Sequence, residues 1–525
     1  MIREGDATMT DYGIAEGPGP ISGAERSATG AGAAREKGFD PNLYNDDLAP
    51  TAASARTWGL YNYTALWIGM AHCIPTYMLA SGLVAQGMNW KQALITILLG
   101  NLIVLVPMLL NSHGGTKYGL PFPVLCRSSF GVKGANLPAL LRALVACGWF
   151  GIQTWIGGAA LNSFLCLLHP AWRQVPFNDQ ICFFVFWGLT LWIIWRGMDA
   201  VKWFEGWAAP MVLVVAILLL VYMVGKAHGL ADVLARPGKF ENPLDFLKNL
   251  PIFLTSQIGF WATLSLNMPD FTRYSRSQKS QMWGQALGLP TTMTLFSAIG
   301  VIVTSATVVV YGTAIGDPVA LLSRPEFASP VVVFISLVSI GVATLSVNVA
   351  ANVVSPAFDF ANMWPGRITF GIGGTITAVI GALILPGRII ASTQNYIFTW
   401  LVGYSALLGP IAGIMICDYW VLRRTHLHVD DLYRSDGRYR YRGGINWWAV
   451  LALVVGVVPN LPGFIMAATG HTPSGALESL AASVYDFAWL VGFFLSFLVY
   501  FTCMRAFEGA NVELDRGARD PGLIS

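Results

Sequence analysis

Four side chains from three apolar stretches have the types and spacing to hold a small flat ligand. In CGWFGIQTWIGG (Cys147–Gly158), Trp149 precedes Gln153 by four residues, so both leave one face of a helix. An indole offers a stacking surface worth about 1–3 kcal/mol for a planar heterocycle. A primary carboxamide sets a donor beside an acceptor, matching the N–H/C=O edge of a lactam, ureide or pyrimidine. In ATLSVNVAANVVSPA (343–357), Asn352 is a second carboxamide, with Asn348 one turn before it and Ser346 close by. Trp261, beside an expected helix break, is a second indole able to close a sandwich. The plainer alternative is that these amides glue helices together, with Ser355–Pro356 marking a helix end. Trp149 and Trp155 lie too deep in their stretch for an interfacial belt. His72, near Pro75, is ionisable within an apolar run and titrates where proton coupling is useful; a neutral histidine bonded to backbone freed at the break is the alternative.

The elements that carry these residues follow from composition. The 525-residue chain is 54% hydrophobic and only 12% charged, against about a quarter charged in soluble domains. Apolar runs of about 18–30 residues recur, each able to cross a hydrocarbon core of roughly 30 Å. Twelve spans are expected near 58–84, 90–110, 137–168, 180–195, 203–225, 252–269, 287–315, 329–357, 367–386, 394–421, 447–468 and 484–505. Lys and Arg concentrate in the loops after even-numbered spans, so both termini are expected in the cytoplasm. Residues 1–45, rich in Gly, Ala, Glu and Ser, read as a disordered tail rather than a signal peptide.

Spans 1 and 6 share a pattern: Trp67 precedes Pro75 by eight residues, as Trp261 precedes Pro269. The two tryptophans are 194 residues apart, and spans 3 and 8, and 5 and 10, keep nearly that offset. This predicts two five-helix repeats (46–225 and 226–425), inverted because each holds an odd number of spans. Two further helices (426–505) and a C-terminal tail (506–525) complete the chain. Inverted repeats with interrupted helices point to a transporter with its site near mid-membrane.

Other classes find no support. The net charge of +3 is spread over short loops, which argues against nucleic acid. The seven cysteines fall mostly in apolar runs and read as packing residues. Asp199, Glu205, Asp270, Asp359 and Asp418 are expected at cytoplasmic helix ends, and no HExxH, CxxC pair or phosphate-binding loop occurs. GIGG (Gly371–Gly374) reads as close helix packing. No enzyme, metal or cofactor is expected.

NDDLAP (Asn45–Pro50), LWIGMAHCIPTYMLASGL, YGLPFPVLCRSSFGVKGANLPALLRALVACGWFGIQTWIGG, GFWATLSLNMPDFTRYSR and LSVNVAANVVSPAFDFAN occur in order. Over about residues 45–505 the chain resembles the nucleobase–cation symporter-1 family, nearer its uracil, allantoin and hydantoin branch. The resemblance implies an all-α polytopic membrane protein with a LeuT-like five-plus-five inverted repeat plus two helices. It implies a ligand stacked between Trp149 and Trp261 and hydrogen-bonded by Gln153 and Asn352. It also implies a cation site from carbonyls of Ala71, Ile74 and Ala343 and two adjacent hydroxyls, the first matching Ser346. The second falls on Val347, which offers no oxygen, so a proton, with His72 as a candidate carrier, is favoured over sodium. Pro75 stands where a sodium-coupled member has a polar contact to substrate, so ring preference is expected to differ. The expectation is a monomeric importer of a small planar amide-bearing ring in the cell membrane. An uncoupled facilitator, a transporter-fold sensor and a sodium symporter are the alternatives.

Overall fold

A computed structural model describes residues 38–196, 198–324, 327 and 330–507, with the side chains of 196–209, 330 and 332 outside the description. The helices used below are α1 (Leu60–Ala71), α2 (Ile74–Ala85), α3 (Trp90–Tyr118), α4 (Phe122–Phe130), α5 (Asn136–Leu168), α6 (Asn178–Arg196), α7 (Met198–Lys226), α8 (Pro243–Phe260), α9 (Ala262–Asn267), α10 (Gln278–Tyr311), α11 (Pro330–Asn352), α12 (Val354–Met363), α13 (Phe370–Leu383), α14 (Gln394–Leu422), α15 (Trp447–Thr469), α16 (Ala476–Asp486) and α17 (Ala488–Phe507). Among the described residues eight helices are long and apolar enough to cross a membrane, or nine if α1 and α2 form one span. Pro210–Lys226 and α13 are apolar but shorter.

Three crossings are interrupted, each for a local reason. α1 stops at Ala71 because His72 leaves helical geometry (φ −80°, ψ 69°) and Cys73 is extended; Pro75, lacking an N–H, then opens α2. The two halves meet at 61°. α8 ends where Trp261 takes φ −105°, ψ 7°, and α9 runs only to Asn267 before Pro269. Val353 (φ −114°, ψ −47°) separates α11 from α12. The sixth span was expected at 252–269; it begins earlier, at Pro243, in a polar turn (Asp245, Lys248, Asn249) that hydropathy does not register.

Two groups of helices form around these breaks. α10 packs on α1, α2 and α3, and α3 on α8 and α9; α5 packs on α6, α11, α12 and α13. α14 packs on α15 and α17 at the side. Small residues permit the close approaches: a Cβ on Gly373 would lie 2.8 Å from the Ala357 Cα. That is the helix packing expected of GIGG. Outward faces carry exposed large apolar groups such as Trp192, Val221, Leu295 and Phe494, as lipid contact requires.

The expected N-terminal tail ends sooner than residue 45. Residues 1–37 lie outside the description, but 38–45 dock on the helices. The Asp40 amide donates to the Tyr433 carbonyl (2.9 Å), and Leu43 is buried with its carbonyl accepting from Arg127 (2.8 Å). Composition hid this because the anchors, Leu43, Tyr44 and Leu48, are few. At the other end α17 runs to Phe507, and 508–525 of the expected tail lie outside the description.

Candidate functional site

The breaks in α1/α2, α8/α9 and α11/α12 surround one small cavity of about 30 Å³. Its walls include Trp149 and Gln153 from α5, Trp261 at the α8/α9 break and Asn352 at the end of α11. The four residues singled out from the sequence therefore share a single space.

Each is held by its own element. Trp149 donates its indole N–H to the Tyr404 hydroxyl (3.2 Å), which donates to the Gly259 carbonyl (2.6 Å). Its ring meets Phe260 edge to face at 5.1 Å. Trp261 meets Trp67 at 5.0 Å and Phe260 at 4.9 Å, both T-shaped. Phe260 thus sits edge-on to both indoles and props them apart. Gln153 and Trp261 are buried, and among the described residues neither Gln153 Oε1 nor Trp261 Nε1 has a hydrogen-bond partner. Buried polar atoms are nearly always partnered, so this cavity carries an unmet acceptor and an unmet donor on its walls.

The two asparagines divide the alternatives between them. Asn348 donates to the Phe150 carbonyl (3.2 Å) and Thr154 Oγ1 (3.0 Å), tying α11 to α5. Asn352 donates to Asn348 Oδ1 (3.0 Å) and lines the cavity. Asn348 is glue; Asn352 faces the space. Trp155 belongs to packing: it contacts Phe183 (centroids 5.8 Å) and covers Gly387.

Further lining residues were not picked out from the sequence: Met70, Cys73, Phe260, Thr263, Leu264 and Ala351. Phe260 and Cys73 adjoin the breaks, and that adjacency was the available signal. Pro75 and Val347, the two positions expected to depart from a polar pattern, also line the cavity. Around the expected cation site, α1 touches α11, and Ala71, Ile74, Ala343 and Ser346 are all buried. The Ala71 carbonyl already accepts from the Cys73 amide (2.9 Å). His72 does not line the cavity. Its ring lies 5.0 Å from Phe296 on α10, and its buried Nδ1 has no partner among the described residues. Of the acids expected at helix ends, Asp270, Asp359 and Asp418 are buried, whereas Asp199 and Glu205 lie outside the described side chains. No group of His, Cys, Asp and Glu able to hold a metal occurs among the described residues.

Helices throughout the described residues, with broken crossings around a buried cavity, are the architecture of a polytopic transporter. Residues 50–492 match the family model described as permease for cytosine/purines, uracil, thiamine, allantoin. The chain is 42% identical to the purine-uracil permease NCS1 of Arabidopsis thaliana (89% of this chain, 79% of that one). It is 40% identical to the allantoin permease of Bacillus subtilis (90% and 95%). The solved inward-facing conformation of Mhp1 superposes with a TM-score of 0.73 at 25% identity, covering 92% of this chain and 99% of that one. The chain belongs to the nucleobase–cation symporter-1 family and is a nucleobase-type transporter in a membrane it crosses several times.

Proposed function

We propose that this protein imports a small, planar, neutral, amide-bearing ring by proton symport with alternating access. The observation that carries the reading is the shared cavity of Trp149, Gln153, Trp261 and Asn352, with Gln153 Oε1 and Trp261 Nε1 unpartnered. In it the indoles stack the ring while Gln153 and Asn352 read its N–H/C=O edge. Relatives named as permeases for purine and uracil, for allantoin and for hydantoin support uracil, allantoin or a hydantoin as the class carried. Pro75 and Val347 narrow that choice sterically, because both press apolar surface into the cavity. Micromolar binding, about −8 kcal/mol, suffices, since tighter holding slows release.

Counting the broken pairs and shorter helices as crossings gives twelve spans, arranged as a LeuT-like pair of inverted repeats plus α15 and α17. In this arrangement α1, α2, α3, α8, α9 and α10 rock against a scaffold of α5, α6, α11, α12 and α13. Both termini are cytoplasmic, the chain works as a monomer in the cell membrane, and no cofactor is needed. A proton is preferred to sodium because Val347 brings no oxygen where sodium, shedding its hydration, needs one. A sodium symporter using Ala71, Ile74, Ala343 and Ser346 is the second reading, favoured by the burial of all four beside the α1 break. Uptake of labelled uracil and labelled allantoin in cells, at two pH values, with and without sodium and a protonophore, tests this. Accumulation that a protonophore collapses and sodium does not alter is expected. Equilibration without accumulation would leave an uncoupled facilitator, and binding without uptake a sensor.

A further inference from the structure

Thr263 lines the cavity, and the fold leaves its side chain without a partner. The residue is 4% exposed and stands in the first turn of α9, directly after the break at Trp261. A helical threonine commonly bonds its hydroxyl to the carbonyl four residues back. Elsewhere in this chain that pattern holds: Thr154 bonds the Phe150 carbonyl (2.7 Å), Thr292 that of Gly288 (2.6 Å) and Thr377 that of Gly373 (2.9 Å). For Thr263 the fourth residue back is Gly259, on the far side of the break. The turn at Trp261 (φ −105°, ψ 7°) takes Thr263 off that helix, and the Gly259 carbonyl accepts from the Tyr404 hydroxyl instead (2.6 Å). Among the described residues the Thr263 hydroxyl makes no hydrogen bond. Its oxygen is not enclosed as Gln153 Oε1 is, so it opens on the cavity that Thr263 lines.

The other polar groups on the wall define what this hydroxyl can do. Asn352 uses its Nδ2 on Asn348 Oδ1 (3.0 Å), so its own Oδ1 is the atom left for a ligand. The Cys73 thiol is engaged by Thr76 (3.3 Å) and by the Gln153 carboxamide, which still has Oε1 unpartnered. Two acceptors, on Asn352 and Gln153, thus match two ring N–H groups. The unpartnered Trp261 Nε1 is a donor and matches one ring carbonyl. A hydroxyl rotates to donate or accept. With two acceptors and one donor already on the wall, Thr263 evens the set by donating to a second carbonyl. Two N–H and two C=O groups are the complement of a cyclic ureide such as hydantoin or uracil. A ring with one carbonyl leaves the buried hydroxyl unpaired, and sites built to bond a polar group reject analogues that lack it.

We propose that Thr263 is a specificity-determining residue: its hydroxyl donates to a second carbonyl of the bound ring, so the site selects rings with two carbonyls over rings with one. The inference rests on the substrate cavity proposed above. The placement of Thr263 suits the role. α9 packs on α3, whereas Gln153 and Asn352 belong to α5 and α11, which pack on each other. A second carbonyl therefore ties the ring to both groups of helices at once.

The test is binding of labelled uracil and labelled allantoin to the purified full-length chain, displaced by two unlabelled five-membered rings: hydantoin, with two carbonyls, and imidazolidin-2-one, with one. T263V keeps the shape of the side chain and removes the hydroxyl, T263A removes both, and T263S keeps the hydroxyl. The wild type is expected to favour hydantoin by about tenfold. T263V and T263A are expected to weaken hydantoin by about tenfold while imidazolidin-2-one changes by less than about twofold, and T263S to stay within about threefold of the wild type for both. Thermal melting checks that each variant is folded. A folded T263V or T263A that keeps the wild-type preference, or that loses both rings equally, overturns the inference, as does T263S behaving like T263V. If the wild type binds label, Asn352→Ala abolishes that binding and T263V leaves the preference intact, the inference falls alone. If the wild type binds neither labelled ring, the transport reading and the inference fall together.

Discussion

The cavity and the Arg142–Asp359 ion pair are two buried polar regions built to opposite rules. The cavity is walled by neutral groups, indoles and carboxamides, and leaves a donor and an acceptor unmet around empty space. The ion pair, from α5 to α12 (3.0 Å), is charged and wholly out of solvent. Among the described residues no Asp, Glu, Lys or Arg lines the cavity, and the pair's charged side chains lie outside its lining. The separation teaches that a neutral cavity wall and a charged tie between helices can be altered independently in this chain, because they reside in different side chains joined by α11 and α12.

Breaking the ion pair should have the largest effect on the fold. Arg142→Met leaves the buried Asp359 carboxylate without its counter-charge, and breaking such a pair costs about 3–5 kcal/mol. A marked fall in melting temperature is expected, read by thermal unfolding in detergent; an unchanged melt would mean the pair is solvated. Changes in the cavity should spare stability and remove transport. Gln153→Ala or Asn352→Ala leaves a ligand's polar edge unpaired at about 1–3 kcal/mol, so uptake of labelled uracil or allantoin should drop about 10- to 100-fold. Normal uptake in both variants, with protein present in the membrane, would end the site assignment.

Smaller changes sharpen the contrast. Tyr404→Phe removes the hydroxyl between the Trp149 indole and the Gly259 carbonyl, a loss of about 1 kcal/mol. Affinity should weaken several-fold in a binding assay while the coupling ion stays the same. Val347→Thr restores an oxygen beside Ser346 and should have the mildest effect, a modest sodium stimulation of uptake measured in paired sodium and choline buffers. No stimulation would indicate that Val347 is not what excludes sodium.

The legible part of the site was what repeats or alternates along the chain. Trp149 and Gln153 share a helix face at a spacing of four, and Trp67–Pro75 and Trp261–Pro269 mark two breaks in register. Apolar length announced the eight long helices, although the polar start at Pro243 and the docking of residues 38–45 escaped it. Hydropathy averages over a window and cannot weigh a few anchoring side chains such as Leu43.

What the chain determined by itself is therefore its class: apolar runs must cross lipid as helices, because hydrocarbon offers their backbones no other partners. Only the tertiary structure decided which amide is glue and which faces open space, since Asn348 and Asn352 are identical in type and one turn apart. It alone paired Arg142 with Asp359, 217 residues away. Contacts between distant segments depend on how helices cross, and no local pattern carries that angle.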